Sequence, residues 1–298
     1  MRIALFIVFV LFARIAEAKI SIYACEPEWA ALAREIVGKK ADVLLGTSPL
    51  ENPANVRVTN DLLNVVRQAD MAFCTGGGLE AKWLKRAIEE GNNIRLRTDP
   101  KALLLVYGSN DGGVKVLPRP HLNPHNILPI AAEFTNRIKA LDAINENFYQ
   151  NSYEKFAKKW KNSIINWEKV AAPLKGMRVV ISDDSWLDLV KWLGLEVAAK
   201  IETKKSYVKN NQHLNEIVAD LKKNPAKAII FANHEDKKPI LWLGQKTETR
   251  IILLPFTIGG TANSANLNQL FSTTINLLLA DCSKTLCPRL DIKQEVKR

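Results

Sequence analysis

Between Glu146 and Ala172 the chain reads ENFYQNSYEKFAKKWKNSIINWEKVAA, a run with neither glycine nor proline inside it. Phe148, Phe156, Trp160, Ile164 and Trp167 recur there at three-, four- and eight-residue steps, which predicts one long amphipathic helix. Pro173 and Gly176 stop it. At the rise of an α-helix, twenty-seven residues span roughly 40 Å, enough to run along the back of two lobes. A strut of that length in a 298-residue chain leaves a substantial half on either side, each long enough to bury its own core.

Both halves carry the same alternation. In the first, strand-like runs KISIYAC (19–25), ADVLLGT (41–47), MAFCTG (71–76) and ALLLVYG (102–108) are separated by EWAALAREIVG and TNDLLNVVRQAD, whose apolar residues fall at helical spacing. In the second, MRVVIS (177–182), EVAAKI (196–201), KAIIFAN (227–233) and RIILLPF (250–256) alternate with WLDLVKWLG, LNEIVADLKKN and ILWLGQ. Strands that alternate with helices form parallel sheets. The expected fold is α/β, two Rossmann-like lobes joined by one long rigid helix. A helical connection is stiff, so little motion between the lobes is expected.

The first eighteen residues, MRIALFIVFVLFARIAEA, have a basic start, a short apolar core and an Ala-Glu-Ala ending, the pattern of a secretory signal peptide cleaved after Ala18. Arg14 interrupts an apolar run already too short to span a bilayer, so direct membrane insertion is not expected. The chain then divides into a signal peptide (1–18), an N-terminal lobe (19–145), the linking helix (146–172), a C-terminal lobe (173–281) and a charged tail (282–298). Removing Arg2, Arg14 and Glu17 takes one positive charge from the formal net +11 and leaves +10. The lysines are scattered over helix faces without interleaved aromatics, which reads as a solvated surface and not a nucleic-acid interface.

Four cysteines in an exported chain permit disulfides. Cys282 and Cys287 are spaced for a local staple, whereas Cys25 and Cys74, each ending an apolar run, read as small buried hydrophobes. The absence of a CxxC pair argues against a thioredoxin-like or zinc-ribbon module.

In open α/β sheets, ligands lie beyond the carboxyl ends of the strands. Here those ends are Cys25 to Glu28, residues 47–60, Pro118 to Pro124, Ser182 to Trp186, Asn233 to Asp236 and Pro255 to Gly260. Together, ACEPEWAALAREIVG, CTGGGLEAKWL, LPRPHLNPHNILPIAAEF, the long helix, SWLDLVKWLGLE and LLPFTIGG resemble the zinc- and manganese-type solute-binding proteins of ABC importers, the cluster A-I group. The resemblance runs from Lys19 to about Asp281. It implies a periplasmic monomer, not an enzyme, that captures Zn(II) or Mn(II), or a metal chelate, between its lobes. Delivery would be to an inner-membrane permease with its ATPase.

The family binds metal through histidines at three motif positions, and this chain keeps none of them. Pro53 is followed by Ala54 and Asn55, Pro118 by Arg119, and Trp186 is preceded by Asp183. Ala54 has no donor atom, Asn55 offers only an amide oxygen, and Arg119 repels a cation; Asp183 alone among the replacements suits a metal. A reassembled site would draw on Asp183, His121, Glu26 and His234. His125 reads as a turn or cap residue and His213 as a structural one.

The alternative is a relative that no longer binds metal and acts as an accessory or interaction protein, with an Arg119–Asp183 bridge across the cleft in the metal's place. Arg57 and Arg119 would otherwise favour an anionic ligand or chelate. Gly76-Gly77-Gly78 lacks the Lys-Ser/Thr of a phosphate-binding loop, and neither a nucleophile elbow nor a paired acid supports catalysis.

Overall fold

The structure is a computed structural model that describes residues 19–107, 119–202 and 211–280. The leader, the charged tail, and Cys282 and Cys287 lie outside these residues.

Each apolar run becomes a strand, with a helix between most of them. In the first half the order is β1 (Ile20–Ala24), α1 (Pro27–Val37), β2 (Ala41–Leu45), α2 (Asn60–Gln68), β3 (Met71–Cys74), α3 (Leu84–Glu90), α4 (Ile94–Thr98), β4 (Leu103–Leu105) and α5 (Pro124–Leu141). The strands pair in parallel in the order β2-β1-β3-β4. After α6 (Glu146–Ala171), the second half runs β5 (Arg178–Ile181), α7 (Leu187–Leu193), β6 (Glu196–Lys200), α8 (Asn211–Lys223), β7 (Ala228–Phe231), α9 (Lys237–Thr247), β8 (Ile251–Leu253) and α10 (Leu267–Leu279). Its sheet is again parallel, in the order β6-β5-β7-β8. Among the described residues each strand is shorter than its apolar run, and past the strand ends lie residues such as Glu26, Thr47 and Phe256 that border the site.

Local chemistry sets the helix starts. Pro27 opens α1, where its missing N–H costs nothing, and the Thr59 hydroxyl accepts from Leu62 N at the start of α2. The Asn123 side chain accepts from His125 N, and that of Asn266 from Gln269 N. No helix among the described residues is long and apolar enough to cross a membrane.

The linking helix forms as one piece with Tyr149, Phe156, Trp160, Ile164, Trp167 and Ala171 buried. Phe148, expected on the inner stripe, is 40% exposed, and Tyr149 takes its place by donating its hydroxyl to Asp142 Oδ2. The helix is fastened to both lobes. Trp160 Nε1 donates to Pro124 O at 2.8 Å on the N-terminal side, and Trp167 Nε1 to Ser272 Oγ at 3.0 Å on the C-terminal side. Phe271 of α10 packs against both indoles, with ring centroids 5.5 and 4.9 Å away. One continuous apolar core therefore includes residues of both lobes and the helix between them.

The structure corrects the reading of Cys25 and Cys74 as separate buried hydrophobes: they form a disulfide, with Cα atoms 4.9 Å apart. The cause is the sheet order. The β1–β3 register pairs Ala24 with Phe73, so the next residue on each strand stands beside the other.

Candidate functional site

Five ionisable side chains are buried at the carboxyl end of the N-terminal sheet: Glu26, Glu28 and Glu80 at 2% exposure, Arg119 at 3% and His121 at 1%. Glu26 and Glu28 bracket the first turn of α1. Glu80 follows three consecutive left-handed glycines, Gly76, Gly77 and Gly78, whose φ of 73°, 60° and 87° bend the chain back towards the strand end. Its carboxylate accepts from Thr75 N (2.8 Å) and Gly76 N (3.0 Å). Glu26 Oε2 accepts from Thr75 N and the Thr75 hydroxyl at 3.2 and 3.1 Å.

Environment separates the three acids. Burial, followed by the charges of Glu80 and Glu28, pushes Glu26 far above the usual carboxyl range. Burial raises Glu80 too, but the backbone N–H groups and the hydrogen bond from Glu26 work against it. Glu26 therefore holds the proton the pair shares, and Glu80, already stabilised as an acceptor, receives it. For Glu28, burial works upward but is overcome by the charge and hydrogen bond of His121 and by the Thr257 hydroxyl, so the group lies below its ordinary value.

Glu28 and His121 connect the two lobes. Glu28 Oε1 lies 2.8 Å from His121 Nδ1, and His121 Nε2 lies 2.8 Å from the carbonyl oxygen of Phe256. Both ring nitrogens face oxygen atoms, one on each lobe. The other oxygen of Glu28 accepts from the Thr257 hydroxyl. Arg119 N donates to Asp188 Oδ2 at 3.1 Å, and the Arg119 guanidinium carbon stands 5.3 Å from the centre of the Phe256 ring. That ring also meets Trp186 and His234, at centroid distances of 5.1 and 4.9 Å. Phe256 and Thr257 thus act as the C-terminal lobe's half of a clamp.

The candidate residues are brought to one end of the molecule without closing on a common point. Glu26, Arg119 and His234 line a cavity of about 10 Å³ with Glu28, Phe256 and Thr257, room for about one water. His121 lies outside the cavity's lining, with Nδ1 2.8 Å from Glu28 Oε1 and Nε2 2.8 Å from Phe256 O. Asp183 Oδ1 accepts from Ser185 N at 2.9 Å and from the Ser185 hydroxyl. Burial and the neighbouring Arg119 lower His234 to about 4, so it is a neutral imidazole over the physiological range. Among the described residues, the one trio of His, Cys, Asp or Glu whose ligand atoms all lie within 4.8 Å of one another is Cys25, Cys74 and Glu80.

The bridge expected between Arg119 and Asp183 does not form. Asp183 is turned to its own helical turn through Ser185, and it acts on Arg119 only as one of four surrounding carboxylates, with Glu28, Glu26 and Glu80. Of the substituted positions, Asn55 Oδ1 accepts from Lys82 Nζ at 3.0 Å, and Ala54 N is held by the Asn52 side chain. His125 caps nothing with its ring but reaches Glu168 Oε1 at 2.6 Å, and His213 Nε2 lies 3.0 Å from Lys200 O. Glu28, Phe256 and Thr257 fall within the strand-end segments 25–28 and 255–260 expected at the mouth, though not among the named ligand candidates; Glu80 lies outside those segments.

These features have known counterparts. The chain matches the family described as ZnuA, zinc-uptake complex component A, periplasmic, over residues 22–278. A solved structure of ZnuA is 17% identical, with TM-score 0.70 over 88% of this chain and 100% of that one. The periplasmic zinc-binding protein TroA from Treponema pallidum is 12% identical, with TM-score 0.73 over 88% and 98%. FpvC from P. aeruginosa, solved with Ni²⁺, is 15% identical, with TM-score 0.70 over 88% and 96%. No curated protein matches by sequence. A two-lobed α/β fold with a single linking helix and a cleft at the strand ends is that of the metal-import solute-binding proteins. The chain belongs to the ZnuA family, a family of substrate-binding transport proteins.

Proposed function

We propose that this chain is the periplasmic solute-binding component of an importer, holding a transition-metal cation such as Zn(II) or Mn(II) between its lobes and passing it to a membrane permease coupled to an ATPase. The mature protein begins at Lys19 and works as a monomer. The observation that carries this reading is the cavity of about 10 Å³ at the strand ends of both lobes, bordered by Glu26, Glu28 and the neutral imidazole of His234. Its size favours a bare ion over a chelate, which would require the lobes to part. His234 is the natural first ligand, because it lines the cavity and no hydrogen bond among the described residues occupies its ring, whereas both His121 nitrogens face oxygens. Asp183 keeps one oxygen without a hydrogen bond among the described residues but lies outside the cavity's lining and would have to turn in. Binding then requires Arg119 to move off the Phe256 ring, since its charge opposes a cation there.

Calorimetric titration of metal-stripped, disulfide-intact mature protein with Zn(II), Mn(II) and Ni(II) tests this. The expected result is sub-micromolar binding that weakens at least tenfold in both Asp183→Ala and His234→Ala. Absence of heat with all three ions would overturn it.

A further inference from the structure

The Cys25 and Cys74 sulfurs and a Glu80 carboxylate oxygen all lie within 4.8 Å of one another, and all three residues are buried. They come from three separate places: the end of β1, the end of β3 and the turn before α3. One further polar atom in this region lacks a partner: among the described residues the fully buried Tyr23 hydroxyl has no hydrogen-bond partner, although it lies within the electrostatic influence of Glu26 and Glu80. Tyr23 packs in the same apolar cluster as Cys25 and Cys74. A buried hydroxyl left without a partner is costly, so its place beside a disulfide and two acids calls for an explanation.

We propose that this cluster is a second metal site, centred on the disulfide and sharing only Glu26 with the cleft cavity, opened by reduction, in which the thiolates of Cys25 and Cys74 and the carboxylate of Glu80 hold a thiophilic divalent cation such as Zn(II). In the oxidised state the sulfurs are bonded to each other and are poor ligands. An external dithiol reduces them by thiol–disulfide exchange: the protein disulfide gains two electrons and two protons, and the dithiol becomes a disulfide. The sulfurs are then free to separate to the spacing of a tetrahedral edge. The cation displaces the two thiol protons, which leave to solvent, and two thiolates with a carboxylate form a ligand set that suits zinc. Glu26, beside Glu80, supplies a fourth oxygen or fixes a water there. Exchange with an external disulfide, which takes up the two electrons and becomes two thiols, re-forms the Cys25–Cys74 bond and ejects the ion, so occupancy reports the redox state of the lobe.

The test uses the mature protein reduced with dithiothreitol, freed of excess reductant without air, and titrated with Co(II) as a spectroscopic probe, then with Zn(II) in competition. The expected result is a thiolate-to-cobalt charge-transfer band at one equivalent. The band is absent from the oxidised protein and from Cys74→Ser, and the dissociation constant rises at least tenfold in Glu80→Gln. Should the variants fail to fold, the wild type serves alone: adding a thiol oxidant to the zinc-loaded reduced protein should release one equivalent of zinc. Four titratable thiols with no charge-transfer band, a band that persists undiminished in Cys74→Ser, or oxidation that releases no zinc would overturn the proposal. Cobalt binding at the cleft would give no thiolate band, so failure here and failure of the cleft reading are distinguishable.

Discussion

The two walls of the cleft solve the same burial problem in opposite ways. The N-terminal wall carries its charges on buried side chains, Glu26, Glu28, Glu80, Arg119 and His121, and staples two of its strands with a disulfide. The C-terminal wall answers with a backbone carbonyl at Phe256, a hydroxyl at Thr257 and aromatic faces at Phe256 and Trp186. Its half-buried acid Glu235 is satisfied inside its own lobe by the Ser182 hydroxyl, Trp186 Nε1 and Ala232 N. The C-terminal partners are mostly neutral, with the Asp188 carboxylate accepting from Arg119 N, and direct bonds across the cleft join the two lobes. A cargo must therefore compete with an internal clamp.

The largest expected effect lies in that clamp. In His121→Ala the Glu28 carboxylate remains buried with only the Thr257 hydroxyl, and breaking such a pair costs about 3–5 kcal/mol. Denaturant unfolding should register that loss, and small-angle scattering should show the lobes moving apart. Replacing both partners, Glu28→Leu with His121→Leu, should recover much of the stability. A cost under about 1 kcal/mol in His121→Ala would mean that the pair contributes little to closure.

Next is the staple. A disulfide closing a loop of sequence separation 49 stabilises by about 4 kcal/mol in the chain-entropy description. Cys25→Ala with Cys74→Ala should lose up to that amount, and reductant should bring the wild type down to the same level. The C-terminal lobe has no disulfide among the described residues, so the loss should be confined to the N-terminal half, as hydrogen exchange would show.

Much of the fold was legible because it rests on short-range patterns. Apolar runs such as MAFCTG and the stripe through Phe156, Trp160, Ile164 and Trp167 carry their own periodicity, and eight strands and the helix follow from it. The site was less legible because its contacts are non-local. Arg119 and His234 line the cavity and His121 lies outside its lining, and nothing near His121 announces Glu28 on α1 or the Phe256 carbonyl beyond β8. The Cys25–Cys74 pairing becomes readable only once β1 and β3 are known to be neighbours, since residues ending adjacent parallel strands must stand side by side. The Arg119–Asp183 bridge failed for a local reason: Asp183 had a nearer partner in Ser185, two residues on.

A smaller effect should appear in the C-terminal wall's response to pH. Burial lifts Glu235 from 4.5 to about 7, so the folded state binds its proton more tightly than the unfolded state does. The associated stability is present in full below pH 4.5 and is lost as pH rises through about 7, a change of roughly 3 kcal/mol. Glu235→Gln is neutral at every pH, so denaturation midpoints measured from pH 4.5 to 8 should flatten. An unchanged slope would place the titration elsewhere.

The smallest effect tests where the loops of the two walls meet. Gly259 has φ of +78°, and a Cβ there would sit 3.0 Å from Pro49 Cγ on the opposite lobe. Gly259→Ala should cost about 1–2 kcal/mol, part from the left-handed backbone and part from pressing on Pro49. Pro49→Ala in the same chain relieves the second contribution and leaves the first, so a double-mutant cycle isolates the contact between the lobes. A coupling of about half a kcal/mol or more would show that the loops touch in solution. Strict additivity would mean that the clamp through Glu28 and His121 holds the cleft without them.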